Sequence, residues 1–189
     1  MLKKAIRERY LQKRIKLADD EWERSAAMIA GHFDTFQFPT IKCLLSFYPL
    51  PEKKEFDISR SISSLKKNNP RIKIGWPRIE PDTFLMEAYQ VEEDGLYAKN
   101  KYNILEPLNG ELIAPELFDM IFLPMIAFDQ RGYRIGYGKG FYDRYLARCR
   151  PDTLKVGFSF FDPVVRIKDI NEFDVPLDIC ITPLRIYEF

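Results

Sequence analysis

Leu2, Ile6, Tyr10 and Leu17 fall near the spacing of one helical face, which predicts an amphipathic helix over residues 1–17. A second helix is predicted from Asp19 or Asp20, whose carboxylates suit a helix N-terminus, to about Phe33. Pro39 closes a short loop, and the pattern then becomes alternating. Residues 41–47 read as a buried strand, followed by a proline- and charge-rich loop over 49–54. Phe56, Ile58, Ile62 and Leu65 mark a helix over 56–67 that Asn68, Asn69 and Pro70 end. Strands are expected over 71–76 and 84–91, with no regular element over 92–116. Residues 117–123 form the most apolar strand, ending at Pro124. A glycine-rich stretch, 132–140, then leads into a helix of about ten residues. Two further strands are expected over 154–160 and 179–182.

Strands alternating with helices argue an α/β fold, a mainly parallel sheet flanked by helices. Without an internal repeat or linker, residues 1–189 read as one domain. Apolar residues at 46% and charged residues at 30% exclude disordered and low-complexity classes. The 29 basic and 28 acidic side chains nearly cancel, which argues against a binder that coats nucleic acid. The basic excess is local: Lys3, Lys4, Arg7, Arg9, Lys13, Arg14 and Lys16 face one acid, Glu8, so the first helix is basic. Cys43, Cys149 and Cys180 lie far apart, the usage of a reducing compartment. With His32 the sole histidine, neither a Cys/His zinc site nor a histidine triad is expected. The apolar run 120–128 is too short to span a bilayer, and no signal peptide opens the chain. A cytoplasmic, monomeric protein without membrane or nucleic-acid partners is expected.

Four of the nine glycines lie in Gly132-Tyr-Arg-Ile-Gly-Tyr-Gly-Lys-Gly140. A strand feeding such a loop, and the loop feeding a helix, presents backbone N–H groups to an anion, with Arg134 and Lys139 adding charge. The alternative is a tight turn with no ligand. Neither the Walker A pattern nor the dinucleotide fingerprint fits: Gly140 follows Lys139, and Phe141 stands where a glycine is needed. Asp143, in the first turn after the loop, reads either as a helix-stabilising acid or as a Mg²⁺ ligand. Asp178 reads first as a turn residue, and Asp129 as the start of a turn.

The stretch Leu123-Pro-Met-Ile-Ala-Phe-Asp-Gln-Arg-Gly-Tyr-Arg-Ile-Gly-Tyr-Gly-Lys-Gly-Phe-Tyr-Asp143 resembles the signature of the 5-formyltetrahydrofolate cyclo-ligase family. Lys3-Lys-Ala-Ile-Arg7, Glu55-Phe-Asp57, Asn103-Ile-Leu-Glu-Pro107 and Pro176-Leu-Asp-Ile-Cys-Ile-Thr182 are similar to its other landmarks, in family order. Met125 stands where the family often has Gly, and Phe141 takes the first of its two tyrosine positions.

The resemblance implies ATP- and Mg²⁺-dependent conversion of 5-formyltetrahydrofolate to 5,10-methenyltetrahydrofolate, ADP and phosphate. It implies ATP contacts from Lys3, Lys4 and Arg7, and from the run Arg134, Ile135, Gly136, Tyr137, Gly138, Lys139, Gly140, Phe141 and Tyr142. Lys139 and Arg134 would act on the transferring phosphoryl group. Tyr48, Glu55 and Tyr102 would hold the folate, and Asp143 and Asp178 would hold Mg²⁺. Sugar-phosphate isomerases and acyl-carrier transferases use similar sheets, but the glycine loop with Lys139 and Asp143 favours a nucleotide phosphate. A nucleic-acid module built on residues 1–17 would instead show binding that falls steeply with salt.

Overall fold

Ile6 and half-buried Tyr10, four residues apart, give the first helix an inward side that seats it beside the sheet, while Leu2, expected on the same stripe, is exposed. The computed structural model describes residues 1–189 except 81, 82, 84 and 93. Helix α1 (Lys3–Ile15) buries Ile6, and α2 (Asp19–Thr35) buries Ile29, Ala30 and Phe33. Strand β1 (Cys43–Leu45) is wholly buried, and the loop after it makes one helical turn at Pro51–Lys53 before α3 (Ser59–Asn68). Next come β2 (Lys73–Glu80) and β3 (Leu85–Gln90). Phe84, expected to open the second of these, lies outside the described residues.

Residues 92–116, expected to be irregular, instead hold β4 (Tyr97–Lys99), β5 (Leu105–Pro107) and β6 (Glu111–Ile113). Each is three residues long and partly or wholly exposed, so the apolar alternation that marks a strand is missing. A turn at Pro115–Leu117 precedes β7 (Met120–Leu123), which is fully buried. A hairpin of β8 (Ala127–Phe128) and β9 (Arg134–Ile135) leads through the glycine loop to α4 (Phe141–Leu146). That helix is six residues rather than about ten. Arg148 and Cys149 already bond back to Tyr145 and Leu146, tighter than helical pairing, and Pro151 has no N–H to continue it. Strands β10 (Leu154–Phe158), β11 (Ile179–Ile181) and β12 (Ile186–Glu188) complete the chain.

One eight-stranded sheet runs in the order β12-β11-β10-β7-β1-β2-β3-β6. The middle five, β11 to β2, are parallel, and the outer strands are antiparallel. Pro77 fits within β2 because β1 pairs only as far as Gly75, which leaves that side of β2 free. One face is covered by α2 and α3, where Phe33 packs against Phe122 and Phe158 at centroid distances of 5.7 and 6.0 Å. The other face is covered by α4, through Phe141, Tyr145 and Leu146. A third cluster joins Ile6 of α1 to Ala127 and Ile135 of the β8–β9 hairpin. This contact hangs the N-terminal helix over the carboxyl ends of the parallel strands, where open α/β sheets bind ligands. Among the described residues no helix is long and apolar enough to cross a membrane.

Candidate active site

A cavity of about 590 Å³ opens at those carboxyl ends. Phe47 and Tyr48 follow β1 into it, Pro77 and Ile79 come from β2, and Pro124 follows β7. Lys3 and Arg7 enter from α1, one turn apart on the side of buried Ile6. Arg7 Nε donates to the Gly136 carbonyl at 2.8 Å, so the first helix is bonded directly to the glycine loop.

That loop needs its glycines at two places. Gly138 has φ of +86°, and a Cβ there would stand 3.1 Å from the Arg7 guanidinium carbon. Gly140 has φ of +70° and caps α4 in the left-handed region, where a Cβ would lie 2.9 Å from Arg144 Nη1. A short α4 leaves less helix dipole than a ten-residue helix would offer, so an anion at the loop would be met chiefly by backbone N–H groups and side-chain cations. Lys139 is exposed at the rim, with Nζ 5.5 Å from the centre of the Tyr102 ring.

Arg134 is buried. Its Nη2 donates to Asp143 Oδ1 at 2.8 Å and its Nη1 to the Val175 carbonyl at 2.5 Å. Burial draws its pKa down, and the Asp143 charge opposes that shift. Lys3 Nζ makes the matching pair with Asp174, at 2.5 Å. Asp143 and Asp174 therefore line the cavity, each already faced by a cation.

Another part of the lining is buried and hydrogen-bonded. Glu55 is 5% exposed; its Oε2 accepts from the Leu50 N–H at 2.8 Å and its Oε1 from the Tyr137 hydroxyl. Burial raises its pKa, while Tyr137, Arg14 and Lys53 pull it back. Glu106 is a second buried carboxyl, taking the Ile79 N–H at 2.9 Å, and burial raises its pKa too. Tyr48 stacks on Trp76 with centroids 4.3 Å apart, and Tyr102 meets Phe141 edge-on. Flat aromatic faces and a buried acceptor thus line the same cavity as the cationic loop, with Tyr137 reaching Glu55 and Lys139 standing near Tyr102.

The sequence model of the 5-formyltetrahydrofolate cyclo-ligase family matches residues 1–183. The chain belongs to that family. It is 30% identical over 181 residues to the 5-formyltetrahydrofolate cyclo-ligase of Mycoplasma genitalium, covering 94% of this chain and 97% of the relative. A solved 5,10-methenyltetrahydrofolate synthetase from Aquifex aeolicus superposes with a TM-score of 0.80 at 30% identity, covering 100% of this chain and 93% of that one. The synthetase from Mycoplasma pneumoniae superposes at 0.74 with 26% identity, over 97% and 99% of the two chains.

The cyclo-ligase motifs converge on the one cavity. Lys3, Arg7, residues 134–142, Tyr48, Glu55, Tyr102 and Asp143 all line it. Lys4 does not; it is exposed and absent from the lining, because on α1 it follows Lys3 by a turn of about 100° and points off the Ile6 stripe. Asp178, expected beside Asp143, does not line the cavity either. It sits at the amino end of β11, where its Oδ2 accepts from the Lys155 N–H at 2.7 Å and pairs with Lys155 Nζ at 2.8 Å. The carboxylate that joins Asp143 is Asp174. The helix expected over 56–67 begins only at Ser59, so Glu55 lies in the loop ahead of α3 and not at its first turn. The loop around Asp129 does turn there: its Oδ1 accepts from the Arg131 and Tyr133 N–H groups at 2.9 and 3.2 Å.

Arg14 was not singled out by sequence. It is 4% exposed, and it donates to the Lys53 and Met125 carbonyls and the Tyr137 hydroxyl at 2.8, 2.8 and 2.7 Å. A signal for it existed. Ile6, Tyr10 and Arg14 step by four along the buried stripe, so an arginine stands where that pattern asks for an apolar residue.

Proposed function

We propose that this cyclo-ligase converts 5-formyltetrahydrofolate to 5,10-methenyltetrahydrofolate at the expense of ATP, with Mg²⁺ bound. The observation that carries this reading is a single cavity lined both by a cationic glycine loop and by Glu55, Tyr48 and Tyr102. An N-formyl oxygen is a poor leaving group, so it must be activated. The formyl oxygen attacks the γ-phosphorus and ADP departs with the electrons of the broken P–O bond. N10 then attacks the formyl carbon, its proton passes to solvent, and phosphate leaves with the C–O pair.

Arg134, Lys139, Lys3 and Arg7 offset the charge of the transferring phosphoryl group, while the loop N–H groups fix its position. Glu55 accepts hydrogen bonds from the pterin ring, and Tyr102 and Tyr48 offer their faces to it. The donor set suits Mg²⁺: two carboxylates, Asp143 and Asp174, meet the number that ion commonly takes from protein when phosphates and water supply the rest. Bound there, the ion would neutralise charge on the polyphosphate. Among the described residues no group of three or more His, Cys, Asp or Glu could hold a metal by itself.

Mixing the protein with 5-formyltetrahydrofolate, ATP and Mg²⁺ should raise the absorbance of methenyltetrahydrofolate, with one ADP released per product. ADP formed only with some other acceptor would reject the folate assignment.

A further inference from the structure

Tyr137 belongs to the glycine loop, and its hydroxyl reaches a buried polar cluster outside it, bonded to both Arg14 and Glu55. The direction of these bonds is fixed by chemistry. An arginine can only donate, so the Tyr137 oxygen accepts from Arg14 Nη2, at 2.7 Å, and its single proton goes to Glu55 Oε1. The Leu50 N–H, also a donor only, takes Oε2 at 2.8 Å. Both Glu55 oxygens therefore accept from the protein, which favours the carboxylate over the acid. The remaining lone pairs are left for a ligand's N–H donors.

We propose that Tyr137 is a positioning residue that keeps buried Glu55 ionised and aimed into the cavity, so that folate binding depends on the conformation of the phosphate-facing loop. The proposal rests on the cyclo-ligase reading, in which Glu55 receives the pterin. Arg14 Nη2 stands 3.7 Å from Glu55 Oε1. It does not replace Tyr137, because the carbonyls of Lys53 and Met125 hold its Nε and Nη1 in place. The other groups facing Glu55 are Lys53, from the turn after β1, and the Tyr142 phenol of α4. Both tyrosines are kept protonated by burial, so among these carboxyl and phenol groups it is Glu55 that changes charge as the pH falls.

The test is the binding of 5-formyltetrahydrofolate without nucleotide, followed by calorimetry across about pH 5 to 9 for wild type, Tyr137→Phe, Glu55→Gln and the double variant. Phenylalanine keeps the ring that lies 4.3 Å under Lys53 Nζ. Wild-type binding should weaken toward acid as Glu55 takes up a proton. In Tyr137→Phe this acid limb should move up by about one pH unit or more, the effect of losing a hydrogen bond to the charged form, with affinity recovering at alkaline pH. Glu55→Gln should abolish the limb, and Tyr137→Phe should add no further pH dependence to it. A Tyr137→Phe variant whose limb does not move, or which is weakened equally at every pH, overturns the proposal. So does a limb that persists in Glu55→Gln. Wild type that binds no folate at any pH overturns the cyclo-ligase reading as well, whereas binding with an unmoved limb overturns this proposal alone.

Discussion

Only Val175, Pro176 and Leu177 separate Asp174 from Asp178, yet the two carboxylates face different ends of the sheet. Both are acids shortly before a strand, and the family resemblance singles out Asp178. Their partners decide: Asp174 meets Lys3 in the cavity, and Asp178 ties the amino ends of β10 and β11 together. Asp174→Asn should therefore raise the magnesium concentration for half-maximal activity by about tenfold or more, with Asp178→Asn leaving it unchanged. A magnesium titration beside a thermal melt separates the two, because Asp178→Asn should lower the melting temperature instead. The buried carboxyls carry a second expectation. Glu55 and Glu106 have folded-state pKa values raised above 4.5 by burial, so each favours the fold while protonated. That contribution is complete below about pH 4.5 and is lost as pH rises through the raised value. Glu106→Gln should accordingly raise the melting temperature near neutral pH, and the gain should shrink toward about pH 4.5. A gain that grows toward acid would show that Glu106 stabilises the fold as its carboxylate.

Elements were legible where burial is one-sided and continuous. α2, β1, β7, β10 and β11 announce themselves by apolar runs or a helical stripe, and each lies within the expected segment or within two residues of it. The short strands β4, β5, β6 and β12 do not, because exposed edge and hairpin strands bury too little side chain to write a period into the sequence. The β8–β9 hairpin escaped for another reason. Two residues per strand are too few for alternation, and its turn is organised by Asp129, whose buried carboxylate collects N–H groups from Arg131, Tyr133 and Ile167. The site was legible through the glycine loop and the charges around it. Long-range meetings were not: Arg14 with Tyr137 and Lys3 with Asp174 join distant parts of the chain, and only the packing of α1 on the hairpin brings them within reach.

At the scale of the whole molecule, the sheet joins near neighbours and distant segments side by side. β2 and β3 meet across a short connection, pairing Gly75 with Gln90 and Glu80 with Leu85. The central strand β1 must instead find β7, with Leu44 opposite Met120 and Leu45 opposite Ile121. Closing so long a loop costs chain entropy before any contact returns it, which delays such pairings. The expected order of assembly then runs outward-in, with the β2–β3 hairpin forming early and the centre that carries the ligand end of every parallel strand closing late. In stopped-flow refolding, Met86→Ala in β3 should slow folding nearly in proportion to its loss of stability. Phe122→Ala in β7 should leave the folding rate almost unchanged and accelerate unfolding. The reverse pattern would place β7 in the nucleus. A late-closing centre also means that the binding cavity is the last part of the protein to exist, so ligand present during refolding should hold the finished state without hastening its arrival.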